Sequence, residues 1–369
     1  MNQAGVTSQT NITVCDPSRI IGQPIWDLCH AAFPNVRFVD STGGSGRIQA
    51  QADMNAGSAI HFGNTNVWSD GARYPATAFT EATYVINLAL LRGHTLAGIT
   101  ACAKNWFGAT WVNYGINEAH KGWTPGGPDT MNSMHGYVTA FDYNTGGNWV
   151  FAQRPMGSYS PLVDLMGHKD LGGKTLLYLV DGLYPSRCQS GLLPFKWQKA
   201  PFNQDWTSSL FASQDGVAID SVCLDFLRSE TGYTEVVKGT LDNYLHEAAQ
   251  ADNPPSGTVY DPERDGTRLA SLGVHEHWNN ASDKRYSGDR GAGNGIELIS
   301  TRPVLIASKC ASNLFSFVVK GATGERYAVE VSTNLSGWAG IVTNTAPFTN
   351  IAAAVTSSPQ RFYRVRYLP

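Results

Sequence analysis

The sequence predicts an α/β fold, a mostly parallel sheet with flanking helices followed by a small all-β antiparallel sandwich, and three observations predict it. Two apolar runs, residues 84–91 and 174–180, are short enough for strands covered on both faces, and each closes on a polar or glycine-bearing tip. An amphipathic stretch at 217–229 repeats Ile219, Val222, Cys223 and Phe226 at helical spacing. From Lys309 the texture changes: LFSFVV, RYAVEV, GWAGIV and FYRVRYL alternate in period two between Gly, Asn and Ser turns, the pattern of an antiparallel sandwich. The boundary falls near Ala307, giving an α/β domain over 1–307 and a β-sandwich accessory domain over 308–369.

In chain order, residues 11–14 read as a strand that stops at an Asp-initiated turn, Cys15-Asp16-Pro17. A helix follows over 24–33, with Ile25, Leu28, Cys29 and Ala32 on one buried face and Pro34 ending it. After a short strand at 36–39, the glycine-rich run 41–47 offers bare backbone donors for an anion, or more simply a surface turn, since no GxGxxG spacing or Walker lysine accompanies it. The long polar and aromatic segment 109–157, which holds His120 and His135, has so little periodicity that a functional role is expected of it. Residues 160–166 start a helix, and the strand at 174–180 closes on Asp181-Gly182. Gly172-Gly173-Lys174-Thr175 imitates a phosphate loop, but it enters a strand where a phosphate loop must leave one. A brief strand at 209–212, the turn Gln214-Asp215-Gly216, a helix at 241–252 before Pro254-Pro255 and a last strand at 296–299 complete the first domain.

Composition bounds the function. Only 15% of residues are charged, against about 25% on average, and glycine is abundant at 38 residues, a surface of the secreted bacterial type. A net charge of -3 without a basic run speaks against nucleic acid. No apolar run approaches the roughly 20 residues of a transmembrane helix. The six cysteines contain no CxxC pair, which excludes an iron-sulfur cluster and a zinc knuckle, while Cys15 and Cys29 are the local candidates for a disulfide. Met1 opens no signal peptide, so an extracellular or periplasmic location implies a truncated or mature chain.

The chemistry is expected at 83–108, around which the chain is organised. Its strand ends on Arg92, Gly93 and His94, and small residues lead on to Lys104, Asn105 and Gly108. Loops beyond strand ends are where ligands bind in α/β sheets, so His94 is expected as acid/base and Lys104 as an anion or cofactor holder within one cavity. The set His94, Gly98, Thr100, Lys104, Asn105 and Gly108, with Asp181-Gly182 and ASQDGVAIDSV at 212–222, resembles the domain of unknown function 362 family over roughly residues 12–299. A weaker resemblance links His94, Ala97, Gly98 and Lys104 to the active-site turn of nickel-pincer lactate racemases. It implies a proton-shuttling His94, a cofactor-tethering Lys104 assisted by Asn105, and His120 as a nickel ligand, although Ala101 and Cys102 stand where that turn has paired glycines.

Two further groups carry expectations. In an extended segment His275 and His277 share a face while Glu276 points away, so both imidazoles can ligate one metal; His120 or His135, with His94, is the other source of metal ligands. Asp181, closing a buried strand, is a catalytic candidate, whereas Asp215 and Asp220 read as helix caps. Trp338 and the tail tyrosines suit core packing better than a sugar site. The sequence thus points to a secreted enzyme, assisted by a transition metal or cofactor, acting on a small polar or anionic substrate. Its alternative is a non-catalytic surface protein that binds polysaccharide through the tail.

Overall fold

The computed structural model describes residues 7–64, 72–94, 96–110, 134–138, 154–188, 193–233, 236–300, 304–311, 314–321, 324–352 and 361–368. The chain divides into two compact units, Met1–Ile296 and Glu297–Pro369. Ahead of the expected boundary near Ala307, the second unit already contains a strand that starts at Val304.

The first unit opens with β1 (Thr13–Asp16), α1 (Gln23–Ala32), β2 (Arg37–Asp40) and β3 (Ile48–Gln49), three strands in one parallel sheet. No residue of α1 is fully buried, and Ile25 and Leu28 are 60% and 76% exposed, so the face expected inside lies outside. Cys15 and Cys29 are free thiols, which corrects the expected disulfide; one stands in β1 and the other in α1, and burial pushes the Cys15 thiol up to about 12. The glycine-rich turn after β2 already holds an anion of its own: Asp40 accepts Thr42 N at 3.0 Å and Gly43 N at 2.6 Å and pairs with Arg47.

The short strands β4 (Ile60–His61) and β5 (Ala72–Arg73) pair antiparallel, and α2 (Thr77–Thr80) leads into the principal sheet. That sheet has the order β7-β6-β8-β9, from β6 (Val85–His94), β7 (Gly98–Thr100), β8 (Thr175–Ser186) and β9 (Ser209–Ser213). Only β6 and β8 run parallel; both edges are antiparallel, so the sheet is mixed. Helices α3 (Cys102–Ala109), α4 (Met134–Tyr137), α5 (Pro161–Gly167), α6 (Gly216–Ser229) and α7 (Asn243–Ala249) complete the unit, with α3, α5, α6 and α7 packed on one another and α3 and α6 against the sheet.

Strand β6 departs from its expected burial on both faces. Val85, Asn87, Ala89 and Leu91 are buried, whereas Ile86, Leu88 and Leu90 are 37%, 61% and 51% exposed. The period of two survives because, among the described residues, helices cover one face of the sheet. Neither apolar run ends where expected: β6 continues to His94 and β8 to Ser186, and 296–299 form no strand.

In the second unit β10 (Val304–Ala311), β11 (Leu314–Lys320) and β14 (Phe348–Ala352) form one antiparallel sheet, and β13 (Ala339–Thr345), β12 (Arg326–Ser332) and β15 (Phe362–Leu368) form the other. Phe317, Val319, Tyr327 and Val329 fill the space between them, the sandwich that the alternation predicts. Trp338 is outside that core, half-buried, with the Arg364 guanidinium 4.2 Å from its ring centroid.

Candidate metal centre

One face of α6 carries Ser221, Asp225 and Arg228 at i, i+4 and i+7, a spacing that lines them up along the helix. Each holds a group from elsewhere in the chain. Ser221 Oγ lies 2.8 Å from His275 Nδ1, Asp225 takes His277 Nδ1 at 2.7 Å, and Arg228 Nη1 donates to Asp242 Oδ2 at 2.9 Å. Asp225 also accepts Trp278 N and the Tyr286 hydroxyl, both at 3.0 Å, which fixes the segment carrying the two histidines.

Helix α7 supplies the second row. Asp242 occupies its N-cap position yet caps no amide, and His246 follows four residues later on the same side. Asp242, His246 and His275 each present a ligand atom, all within 4.8 Å of one another. His277 Nε2 stands 3.4 Å from Asp242 Oδ2. The His246 and His275 rings meet edge to face at 4.4 Å, and the His275 and His277 rings at 4.9 Å.

The segment at 274–278 has no regular secondary structure, yet its alternate side chains split between two sides as the sequence predicts, His275 and His277 to α6 and Glu276 away from it. Glu276 turns away from the histidines and accepts Ser287 Oγ at 2.9 Å and Ile296 N at 2.5 Å, holding the following loop. The entry is set by Asp215, which caps α6 through Val217 N and Ala218 N at 2.8 Å and accepts Val274 N at 2.8 Å. At Gly273 φ is 151°, and a Cβ would collide with the Asp215 carboxylate, so glycine is required.

The protonation states differ across the cluster. Burial, followed by the charges of His246 and His277, pushes His275 down to about 3, and burial also lowers His246, so both imidazoles are neutral near pH 7. Hydrogen bonds to Asp225 and Asp242 raise His277 to about 9. Burial works to raise the Asp242 carboxyl, but hydrogen bonds from His277 and Arg228 outweigh it and hold the group below the usual carboxylate range. His275 Nε2 is buried, and among the described residues it has no hydrogen-bond partner. Around a tetrahedral ion with bonds of about 2.1 Å the donor atoms would stand about 3.4 Å apart, so a bound ion would draw the donors in from a spread of up to 4.8 Å.

Among the described residues, none of the other sequence-predicted residues belongs to the three-ligand group. His94 ends β6 and is buried; its Nδ1 accepts the Leu96 and Ala97 amides at 3.1 Å, bracing its own turn. Lys104, on α3, extends its ammonium 3.8 Å from the Phe107 ring centroid and lines a narrow cleft with Ala97, Tyr137, Arg154 and Ser160. His94 is not among the lining residues of that cleft. The Asn105 amide bonds back to Asn87 Oδ1 at 2.9 Å, in service of the strand. Asp181 is inside β8, where its carboxylate accepts Leu183 N at 2.9 Å. His120 lies outside the described residues, and for His135 only the backbone, within α4, is described.

Asp242 and His246 are the site residues that the sequence reading missed. An Asp four residues before a His at the start of an expected helix was the available signal, since that spacing faces both to one side. Asp220, read as a cap, caps a different helix from its own: it accepts Cys102 N at 2.8 Å and Ala103 N at 2.9 Å at the start of α3.

Residues 51–225 match the family model described as a domain of unknown function (DUF362). The match stops at Asp225, so Ser221 and Asp225 lie inside it, and the ligand atoms of Asp242, His246 and His275 come from the chain beyond it. No curated protein and no solved structure matches the chain.

Proposed function

We propose, for a chain that belongs to the DUF362 family over residues 51–225, a metal-dependent enzyme acting on a small polar or anionic substrate, with a divalent first-row transition ion held by Asp242, His246 and His275. The observation that carries this reading is the buried, unpartnered Nε2 of His275 in a group whose three ligand atoms lie within 4.8 Å of one another. Two neutral imidazoles with one carboxylate suit zinc, iron(II), cobalt or nickel. A bound ion of this kind supplies Lewis acidity and activates water. The chain's own part is orientation. Ser221 fixes the His275 ring through Nδ1 and Asp225 fixes His277, as outer carboxylates and hydroxyls do around ligating imidazoles.

Export to the periplasm or exterior belongs to the same proposal and is supported by the sparse charge, 15% of residues. No described helix is long and apolar enough to cross a membrane. The non-catalytic, polysaccharide-binding alternative draws less support, because the Trp338 ring such a site would use is covered by Arg364.

Metal analysis after loading with zinc or iron(II) tests the reading. One equivalent per chain is expected, and His246→Ala with His275→Ala should weaken binding by at least roughly a hundredfold, the scale of losing direct ligands where outer partners alone account for tenfold or more. The double variant should keep its far-ultraviolet circular dichroism, since both side chains are only partly buried. Substoichiometric metal in the loaded wild type, or an unchanged affinity in the folded double variant, would overturn the assignment.

A further inference from the structure

We infer that the narrow cleft beside α3 and α7 binds the oxyanion group of a small ligand, a carboxylate or a phosphate, between the Lys104 ammonium and the Arg154 guanidinium, with the Ser160 hydroxyl as a third donor. Lys104, Arg154 and Ser160 line it together with Tyr137, Asn243 and Tyr244, and among the described residues no lining residue is acidic. Arg154 is fixed in place: its guanidinium stacks 4.5 Å from the Tyr137 ring centroid and its Nε donates to Gly136 O at 2.8 Å. A planar guanidinium held in this way presents a preformed fork to an oxyanion.

Ser160 supplies an independent observation. It is 1% exposed and stands at the N-cap position of α5, yet its side chain caps nothing and Oγ has no partner among the described residues. A buried hydroxyl without a partner is unfavourable, and a ligand oxygen in the cleft relieves it. Lys104 points the same way. Burial, then the charges of Arg92 and Arg19, push its ammonium down to about 7, and an anion bound in the cleft would favour its charged form.

Leu241 and Asn243 of the cleft wall flank Asp242 in the chain, while the Asn243 side chain itself turns to Gly157 and Ser158. A ligand anchored here by its oxyanion is a small organic acid or phosphate ester, within the polar or anionic substrate class proposed above. The inference rests on the metal reading only in calling the ligand a substrate; the binding itself stands on the cleft residues.

Melting of the full chain in increasing inorganic phosphate or acetate, at constant ionic strength set with chloride, is the test. A saturable rise with one of the two anions is expected, and which anion gives it assigns the group as phosphate or carboxylate. Lys104→Met and Arg154→Gln should each weaken that anion by at least roughly tenfold, the effect of removing one charge-assisted partner. Arg154→Gln keeps the readout available should Lys104→Met fail to fold, since Arg154 is only partly buried. No saturable rise in the wild type, or wild-type binding in folded Arg154→Gln, would sink the inference. Retained anion binding in the His246→Ala, His275→Ala protein is expected too, and it separates failure of the metal reading from failure of this one.

Discussion

Asp220→Ala is expected to remove about 4 kcal/mol of stability, because it strips three buried donors of their acceptor at once, each worth about 1 to 3 kcal/mol when left unpaired. The Asp220 carboxylate is fully buried and accepts Cys102 N at 2.8 Å, Ala103 N at 2.9 Å and the Tyr244 hydroxyl at 3.0 Å. It thereby joins α6 to the start of α3 and to α7, the three helices around both proposed sites. Burial raises its carboxyl to about 6, and the amide hydrogen bonds restrain that rise, so it is mostly ionised near pH 7.5 and also opposes the positive end of α3. Asp220→Asn should recover only part of the loss, since its amide offers one acceptor where the carboxylate offers two. Urea denaturation of the three proteins reads the effect from the midpoints. A loss under about 1 kcal/mol for the alanine variant would mean that water replaces the carboxylate at the helix start.

The second expected result concerns pH. Asp164→Asn should remove a decline in stability that the wild type shows as pH rises from about 4 to about 8. Burial raises the Asp164 carboxyl from 3.8 to about 8, against the opposing hydrogen bonds from Tyr159 at 2.6 Å and Gly63 N at 3.2 Å. Both donors bond to Oδ2, while Oδ1 is buried without a partner among the described residues and is the natural seat of the proton. Over that window the unfolded chain has lost its proton and the folded chain keeps it, so each unit of pH lowers the stability by about 1.4 kcal/mol until the folded group ionises. Asparagine has no such proton. The stability difference between the two proteins should therefore move in favour of the variant by about 2 kcal/mol or more from pH 5 to pH 8. Thermal melts at both values measure it; parallel curves would place the Asp164 carboxylate in contact with solvent.

Much of the architecture was legible because it depends on neighbours in sequence. The alternation in LFSFVV and RYAVEV becomes β11 and β12, and the spacing of Ile219, Val222 and Phe226 lies within α6, which is buried on its other sides as well, at Asp220, Leu224 and Leu227. Asp215 caps α6 as its position two residues before the first apolar residue foretells. The pairing of His275 with His277 on one side is equally local, a consequence of the period of two in extended backbone.

The sequence by itself thus determined the two-part α/β and antiparallel organisation, most of the elements and the candidacy of the two late histidines. Only the tertiary structure decided which face of β6 is covered and that Asp181 lies within a strand. It also decided that Asp242 and His246 complete the histidine cluster and that Arg154 and Ser160 join Lys104 in the cleft. The reason is physical. Helix and strand periods set the side to which a residue points, through repeats of 3.6 and 2 residues that a short window reveals. What it points at depends on the packing of whole helices, here α6 against α7 and the 274–278 segment, whose partners in contact stand up to 59 positions apart in the chain.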